Sequence, residues 1–363
     1  MERIAIYMAF YEGGAETVTI NLAQGLIDRG YAIDFVLQQV NETNIQRMPK
    51  KARVVDLGVS RAINSLLGLA RYLRTERPVA LLSVITYTNV IALLAQRMVN
   101  FKGKVMVIEH NTFSPWNQQF PKITRWLLPK LVASCYPWAG RIIAVSEGVA
   151  DDLCEATGLS RKKVQVIHNP VITDQLRAQT RIPLYHPWYE PGQPPVLLAV
   201  GRLSPEKDFP TLIKAFDRVR RLRPVRLLIL GEGEMRTELQ SLITSLGLDQ
   251  DVSLPGFVDN PYHYMAHSAM LILSSLWEGL PTVLVEALYC GTPIVATDCP
   301  SGPREILCDG KYGRLVPVAN PIILAEAIET TLDSNNSPAS EESWKSFDLE
   351  CVLDQYLSSL LGA

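Results

Sequence analysis

The sequence predicts an α/β protein made of two doubly wound parallel sheets in tandem. Short apolar runs alternate with longer stretches of helical spacing in both halves of the chain, which is typical of a parallel sheet built from strand and helix units. A proline-rich, aperiodic stretch at residues 181–195 interrupts this alternation, which then restarts. At 363 residues the chain is also long for one hydrophobic core, so we expect two domains.

The predicted elements follow from apolar periodicity. Residues 79–96 carry no charge but include six polar side chains, so they predict a buried strand followed by a helix and not a membrane span. The N-terminus lacks a basic region and a small-residue cleavage site, so its apolar run predicts a first strand and not a signal peptide. The other predicted strands are residues 4–8, 32–37, 105–109, 142–145, 196–200, 226–230, 252–254, 270–273 and 294–297, and the predicted helices are 17–29, 63–74, 209–220, 235–246, 282–289 and 341–361.

Composition excludes several classes of protein. Hydrophobic residues make up 47% and charged residues 20%, as in an ordinary globular protein, and the net charge of −2 implies no strong electrostatic partner for the whole chain. Residues 1–180 contain 21 Lys and Arg against 14 Asp and Glu, so only the first half is expected to approach an anionic surface. The six cysteines form no C-x-x-C pair, which favours a reduced, cytosolic setting.

Glycines and cations follow several predicted strands. Ligands of doubly wound sheets bind beyond the carboxyl ends of the strands, so we expect these residues to face a central cleft. The Gly13-Gly14 turn opens the first helix, and Arg202 and Lys207 follow residues 196–200. Arginine and lysine there suit a phosphate group, although a salt-bridged turn would look the same. Gly231 begins a G-x-G that lacks the third glycine of a dinucleotide fingerprint, so nucleotide redox chemistry is weakly supported.

Two carboxylates flank the start of a predicted helix. Glu278 lies in the loop before this helix and Glu286 lies within it, because Gly279 and Pro281 place the helix start near Pro281. The amides at the helix start can face an anion while the carboxylates accept hydrogen bonds from hydroxyl groups on either side of it. A sugar nucleotide has this layout of hydroxyls and diphosphate. The alternative is a chance pair of glutamates on a capped helix.

These motifs, together with Leu254-Pro-Gly256 and Asp298-Cys-Pro-Ser-Gly-Pro-Arg-Glu305 in this order, resemble the family-four retaining glycosyltransferases of GT-B fold. The resemblance spans nearly the whole chain. It implies two Rossmann-like domains that face a central cleft. Residues 1–170, completed by a terminal helix at 344–363, would form the acceptor domain, and residues 171–340 would form the nucleotide-sugar domain.

The resemblance also implies roles for particular residues. Glu278 would contact a hydroxyl of the transferred sugar, Glu286 the ribose, and the backbone at Phe257 the base. His110, which follows the strand at 105–109, would contact the donor sugar near its reacting carbon, although a lone histidine is more often structural; His168 is interpreted as structural. Catalytic roles would fall to His110, Glu278, Arg202 and Lys207, and donor binding to Gly13, Gly14, Gly231, Phe257, Gly279, Leu280, Pro281, Thr282 and Glu286.

The implied chemistry uses fixed positive charge. Arg202, Lys207 and the helix start would stabilise the charge on a departing nucleoside diphosphate, so no metal and no cofactor is expected. Asp249-Gln-Asp251 has the spacing of a metal motif, but its place between a helix and a strand favours a solvated turn. Retention through front-face attack by the acceptor, proposed for similar enzymes, requires mainly positioning.

Substrate identity stays open at this level. The stretch at residues 298–307 is similar to members that use UDP-hexoses or UDP-N-acetylhexosamines, so UDP is the first choice and GDP-mannose the second. Residues 120–132 mix bulky apolar and basic side chains, which suits peripheral contact with an anionic membrane on its cytoplasmic face and a lipid-linked glycan acceptor, in polysaccharide or lipopolysaccharide assembly. Core packing explains that stretch equally well. A nucleotide-sugar epimerase and a non-catalytic sugar-binding protein are the competing functions.

Overall fold

The computed structural model describes residues 2–9, 13–40, 42–334 and 338–361. The chain divides into two compact units. Unit 1 is Met1–Pro170 with Leu349–Ala363, and unit 2 is Val171–Asp348. Residues 10–12, immediately before the Gly13-Gly14 turn, and residues 335–337, before the terminal helix, lie outside the described residues.

Unit 1 contains a parallel sheet with the strand order β3-β2-β1-β4-β5-β6-β7. The order reverses between β1 and β4, so the loops that follow these two strands run in opposite directions along the sheet. The strands are β1 (Arg3–Met8), β2 (Ala32–Leu37), β3 (Arg53–Asp56), β4 (Ala80–Val84), β5 (Lys104–Glu109), β6 (Arg141–Ala144) and β7 (Val164–Val166), and the helices before the chain enters unit 2 are α1 (Gly14–Asp28), α2 (Glu42–Arg47), α3 (Ser65–Glu76), α4 (Thr86–Met98), α5 (Phe113–Asn117), α6 (Lys122–Cys135) and α7 (Glu147–Thr157).

Unit 2 repeats this architecture with the strand order β10-β9-β8-β11-β12-β13. All its strand pairs are parallel, and the order reverses between β8 and β11. The fold class predicted from the sequence is therefore confirmed. The strands are β8 (Val196–Val200), β9 (Arg226–Leu230), β10 (Val252–Gly256), β11 (Met270–Leu273), β12 (Ile294–Thr297) and β13 (Arg314–Val316), and the helices are α8 (Asp174–Thr180), α9 (Phe209–Arg220), α10 (Arg236–Ser245), α11 (Tyr262–His267), α12 (Thr282–Cys290), α13 (Pro303–Ile306) and α14 (Pro321–Leu332).

Helix α9 shows how the sequence sets one of these boundaries. Asp208 precedes it in a left-handed conformation, with φ 46°, and its Oδ1 accepts the N–H of Thr211 at 3.4 Å. This side chain satisfies one amide of the open first turn. The helix then buries Phe209, Leu212 and Phe216 in the hydrophobic core of unit 2.

The last helix, α15 (Leu349–Leu361), belongs to unit 1 and packs on α1. Gly25 of α1 permits this contact, because a Cβ atom there would lie 2.5 Å from Cδ1 of Leu353. Arg29 at the end of α1 also forms ion pairs with Glu350 and Asp354, both at 2.6 Å. The sequence placed the start of this helix at residue 344, whereas the structure begins it at Leu349.

Residues 344–348 belong to unit 2 and not to the terminal helix, so this part of the predicted domain boundary is wrong. The carbonyl of Phe347 accepts the backbone N–H of Val171 at 2.9 Å and that of Ile172 at 3.1 Å. The prolines of residues 181–195 likewise lie wholly within unit 2, as an excursion before β8. No helix in the described part of the chain is long and apolar enough to cross a membrane.

We expect Leu353→Ala to destabilise unit 1 by about 2–5 kcal/mol, because Leu353 is fully buried against α1 and its truncation leaves a cavity. Leu222→Ala is the matched control, since Leu222 is 75% exposed and its truncation should change stability by less than about 0.5 kcal/mol. Urea denaturation followed by circular dichroism measures both. Equal midpoints for the two variants would contradict the packing of α15 on α1.

Candidate active site

The loops after β8 and β9 are held together by their backbones. Leu203 N donates to the carbonyl of Glu232 at 2.8 Å, and Met235 N donates to the carbonyl of Leu203 at 2.9 Å. Glycine is required on the second loop, because a Cβ atom on Gly231 would lie 2.0 Å from the carbonyl oxygen of Gly201. Gly231 has φ 141°, a conformation that side chains disfavour. The G-x-G that the sequence analysis considered as a nucleotide element thus has a packing role.

An ion pair joins the loop after β8 to the loop after β11. Nζ of Lys207 lies 2.6 Å from Oε1 of Glu278, and the two side chains are only 20% and 11% exposed. The same carboxylate oxygen accepts the hydroxyl of Ser275 at 2.6 Å. The hydroxyl of Ser274 donates to the carbonyl of Lys207 at 2.7 Å. Lys207 and Glu278 are therefore fixed side by side where the strand order of unit 2 reverses.

Arg202 lies on the same loop as Lys207 but is far more accessible. Its Nη2 forms an ion pair with Oε2 of Glu234 at 3.0 Å, and its side chain is 61% exposed. Exposed ion pairs contribute little to stability and exchange partners readily. The guanidinium can therefore leave Glu234 for an anionic ligand at low cost.

Helix α12 begins beside the Lys207 and Glu278 pair. Thr282 is its first residue, Pro281 occupies the capping position, and no side chain caps the first turn. Gly279 is held by the hydroxyl of Ser301, which donates to its carbonyl at 2.7 Å. Gly302, with φ 92°, passes so close that a Cβ atom there would lie 2.3 Å from Cδ of Pro281. The loop after β12 thus supports residues 279–281 and the uncapped helix start.

Glu286 lies on α12, one turn after Thr282, and accepts a hydrogen bond from the Thr282 side chain. Burial raises the pKa of the Glu286 carboxyl to about 7, and the hydrogen bond from Thr282 opposes part of this rise. Near neutral pH the group is therefore divided between its neutral and charged forms. Leu280, just before the helix, is buried.

Phe257 follows β10 and is 74% exposed. Gly256, immediately before it, has φ 96°, and a Cβ atom there would lie 2.7 Å from Oε1 of Glu232. Phe257 therefore presents its ring and backbone at the edge of the sheet that also carries Lys207 and Glu278.

In unit 1, His110 follows β5 and is 8% exposed. Burial lowers the pKa of its imidazole to about 4, so the ring is neutral at physiological pH. Its Nδ1 is buried and has no hydrogen-bond partner among the described residues. Nδ1 thus has a hydrogen-bonding capacity that no described residue uses.

Glu109, the residue before His110, anchors a buried polar network that the sequence analysis missed. Tyr136 donates its hydroxyl to Oε1 of Glu109, Thr86 donates to Oε2 at 2.7 Å, and Nδ2 of Asn89 donates to Oε1 at 3.0 Å. Burial raises the pKa of the Glu109 carboxyl, although these hydrogen bonds oppose the rise. The network fixes the end of β5 and with it the backbone of His110. The adjacent Glu-His pair was its only sequence signal, because the three partners are distant along the chain.

Gly13 and Gly14 lie at the start of α1. Gly13 is exposed, its φ of 168° is open to any residue, and a Cβ atom there would meet nothing within 4 Å. No side chain caps this helix. Neither backbone conformation nor packing within the described residues therefore explains the choice of glycine at position 13.

The two aspartates of the predicted turn have separate partners. Oδ2 of Asp251 accepts from Nε of Arg220 at 2.6 Å, and Oδ1 of Asp249 accepts from the hydroxyl of Thr244 at 2.7 Å. Within the ranges that the structure covers, no group of three or more His, Cys, Asp or Glu side chains is placed to hold a metal ion.

Two Rossmann-like units in one chain, each with functional loops at the carboxyl ends of its strands, are the architecture of the GT-B glycosyltransferases. The chain belongs to glycosyltransferase family 4. The family model described as Glycosyltransferase Family 4 matches residues 12–175, and the model described as Glycosyl transferases group 1 matches residues 186–345. Enzymatic activity as a glycosyltransferase follows from this membership.

Two curated relatives support the assignment, and two solved structures share the fold. The N-acetylgalactosamine-N,N'-diacetylbacillosaminyl-diphospho-undecaprenol 4-alpha-N-acetylgalactosaminyltransferase of Campylobacter jejuni is 32% identical over 283 residues, which cover 76% of this chain and 74% of the relative. An uncharacterized glycosyltransferase of Methanocaldococcus jannaschii is 33% identical over 283 residues, 71% of this chain and 69% of the relative. The crystal structures of HepE from Anabaena with UDP and glucose and of S. aureus TarM have this fold, with TM-scores of 0.81 and 0.78, identities of 21% and 13%, and coverage of 99% or more of each chain.

We expect Gly233→Ala to displace the loop after β9 and to destabilise unit 2 by more than about 2 kcal/mol. A Cβ atom there would lie 2.3 Å from the carbonyl oxygen of Leu203, and Gly233 has φ 159°. Gly158→Ala is the control, because Gly158 has φ 73° but open space around a Cβ atom, so only the left-handed penalty of about 1 kcal/mol applies. Denaturant titration compares the two, and an equal loss would show that the close approach is not required.

Proposed function

We propose that this protein is a retaining glycosyltransferase that transfers a hexose or N-acetylhexosamine from a UDP-sugar to a glycan acceptor. The observation that carries the proposal is the Lys207 and Glu278 ion pair, held beside the uncapped start of α12 where the strand order of unit 2 reverses. Ligands of such sheets bind at this point of reversal. A cation, a carboxylate and the amides at the start of α12 together match a diphosphate that is flanked by hydroxyl groups.

The residues of unit 2 are assigned to the donor as follows. Lys207 has three N–H donors, so it can keep Glu278 as a partner and also bind a phosphate oxygen. Arg202 adds its exposed guanidinium. The backbone N–H groups of Gly279, Leu280 and Thr282 face the same phosphate, whereas Pro281 has no N–H to donate. The Glu278 carboxylate accepts a hydrogen bond from a hydroxyl of the transferred sugar. The Glu286 carboxylate accepts hydrogen bonds from the ribose hydroxyls. The backbone at Phe257 meets the base, and Gly231 shapes the loop that carries Arg202.

In unit 1, we assign His110 and the glycines at positions 13 and 14 to the same reaction. A neutral imidazole with an unsatisfied Nδ1 suits a hydrogen bond to the transferred sugar. Gly13 lacks any packing reason to be glycine, and close approach of the α1 amides to a phosphate would supply one.

The reaction breaks the bond between the anomeric carbon and the diphosphate oxygen while the acceptor hydroxyl attacks the same face. Negative charge grows on the departing diphosphate, and Lys207, Arg202 and the amides at the start of α12 stabilise it as it forms. The acceptor proton passes to the departing phosphate oxygen. In this proposal the two cations supply the positive charge, so transfer proceeds without a divalent metal.

The names of relatives support the substrate class. The Campylobacter jejuni relative is named for transfer of N-acetylgalactosamine to an undecaprenol diphosphate glycan, and another relative is the lipopolysaccharide 1,6-galactosyltransferase of Salmonella typhimurium, 30% identical over 188 residues. HepE has been crystallised with UDP-glucose. We therefore propose a lipid-linked acceptor in cell-surface polysaccharide or lipopolysaccharide assembly, and peripheral contact of a cytoplasmic protein with an anionic membrane through unit 1.

A panel of UDP-sugars and GDP-mannose, scored by slow donor hydrolysis and by calorimetry, tests the donor. We expect UDP-sugars to bind, and Lys207→Ala to weaken binding by about 10- to 100-fold, because it removes one charge-assisted contact. Lys214→Ala is the control, since Lys214 is exposed on α9 of the same unit.

Donor hydrolysis should be undiminished in the presence of EDTA. Binding of GDP-mannose alone would replace the UDP assignment, and unchanged affinity in a folded Lys207→Ala protein would remove this lysine from the site.

Donor binding should also depend on pH through Glu286. The pKa of its carboxyl is raised to about 7, so at about pH 6 only about a tenth of the molecules carry the carboxylate. If the carboxylate binds the ribose hydroxyls, affinity for UDP-N-acetylglucosamine should fall about five- to tenfold between about pH 8 and about pH 6. Calorimetry at both pH values measures this, and Glu286→Gln should flatten the profile. An unchanged slope in that variant would contradict the assignment.

The raised pKa of Glu286 makes the stability of the fold depend on pH in the direction opposite to donor affinity. Between the ordinary carboxyl value near 4.5 and the folded value near 7, the folded state binds more protons than the unfolded state. The contribution of Glu286 to stability is therefore greatest below about pH 4.5, falls as pH rises to about 7 and is constant above. Stability and donor affinity thus respond to pH in opposite directions at this residue.

A further inference from the structure

Helix α6 of unit 1 has apolar side chains on two faces. Its inner face buries Leu128, Val132 and Cys135. On its outer face Ile123 is 76% exposed and Trp126 is 65% exposed. Leu127 and Leu131 continue this outer face and are 44% and 38% exposed. Spacings of three and four residues place these four side chains together on one side of the helix, and we call them the α6 outer face.

The charged side chains of helix α6 itself are all basic. Lys122, Arg125 and Lys130 are exposed on the same helix. Between Glu109 and Glu147 the sequence has no acidic residue. Nζ of Lys130 lies 3.3 Å from the ring centroid of Trp126, so a cation lies directly over the one tryptophan of this face.

We propose that the α6 outer face is the surface through which this protein docks on an anionic lipid bilayer. Leucine, isoleucine and tryptophan suit the boundary between headgroups and acyl chains, where an amphipathic helix lies in the plane of the membrane. The lysines reach back to the headgroups along their own alkyl chains. Anionic lipids then offer negative charge to these basic residues.

A second copy of this chain fits the surface less well. A two-fold interface presents the same patch from both partners, so it would set Lys122, Arg125 and Lys130 against their own copies. No acidic side chain lies within residues 110–146 to offset that repulsion. The bilayer is therefore the occupant that satisfies both the apolar and the cationic parts of the surface.

This inference deepens the proposed function and rests on it for the membrane location of the acceptor. The surface itself is independent of catalysis. It contains none of the residues assigned to the donor, and it lies on α6 (Lys122–Cys135), a separate helix between β5 and β6. Docking and sugar transfer can therefore succeed or fail separately.

Vesicle co-sedimentation of the full chain tests the inference, with no donor or acceptor present. We expect binding to phosphatidylcholine vesicles that contain about one third phosphatidylglycerol, weak binding to phosphatidylcholine alone, and loss of the difference on raising salt from about 0.1 M to about 1 M. The double variant Ile123→Glu, Leu127→Glu should bind at least about tenfold more weakly. Lys122→Gln and Lys130→Gln should each weaken binding about fivefold.

Leu222→Glu is the matched control, because Leu222 is 75% exposed on unit 2 and should leave vesicle binding unchanged. Circular dichroism and the urea midpoint of each variant check that the protein is folded. The inference is overturned if the double variant binds anionic vesicles as well as the natural protein, or if neutral and anionic vesicles bind alike. It is also overturned if the protein binds no vesicles and instead self-associates in sedimentation velocity, with Ile123→Glu abolishing that self-association. The face would then bind a second copy of the chain. Vesicle binding without any donor hydrolysis would instead reject only the proposed function.

Discussion

The ion pair between Lys207 and Glu278 is the interaction on which the candidate site depends. It connects the loop after β8 to the loop after β11, which are the two loops that diverge where the strand order of unit 2 reverses. Both side chains are mostly buried, so removing either would leave the other partly desolvated and without this partner. The pair therefore holds its own geometry before any ligand arrives, and preorganised charge of this kind stabilises a transition state without a further cost of reorganisation.

Close backbone contacts support this pair from both sides. Gly231 and Gly233 allow the loop after β9 to hydrogen-bond with the loop that carries Arg202 and Lys207, and Gly302 allows the loop after β12 to press on Pro281. A side chain at any of these three positions would meet backbone or proline ring atoms. Packing therefore fixes the loops, while the exposed Arg202 and Phe257 remain accessible for binding. Along one edge of the sheet, the glycine contacts hold the loops in place and the exposed side chains are available to bind.

The sequence was sufficient for the fold class because buried strands and amphipathic helices alternate so regularly. It missed β3, β7 and β13, which have only three or four residues each and lie at or near sheet edges, where periodicity has too few positions to register. It extended the terminal helix back to residue 344, because Trp344 and Phe347 continue the apolar spacing. In the structure, Phe347 instead pairs by backbone with residues 171 and 172, a contact between distant segments that local periodicity cannot reveal.

The same distinction between local and distant information applies to the sites. Lys207 and Glu278 could be nominated from the sequence because each follows a strand that ends at the same edge of a parallel sheet. Their direct contact could not, because it depends on the depth at which each loop turns. The network of Glu109 with Thr86, Asn89 and Tyr136 was invisible for the same reason, since its members come from three separate elements. The α6 outer face is an intermediate case. Its mixture of apolar and basic residues can be read from one stretch of sequence. Only the structure shows that Leu128 and Val132 pack into the core while Ile123 and Trp126 stay exposed.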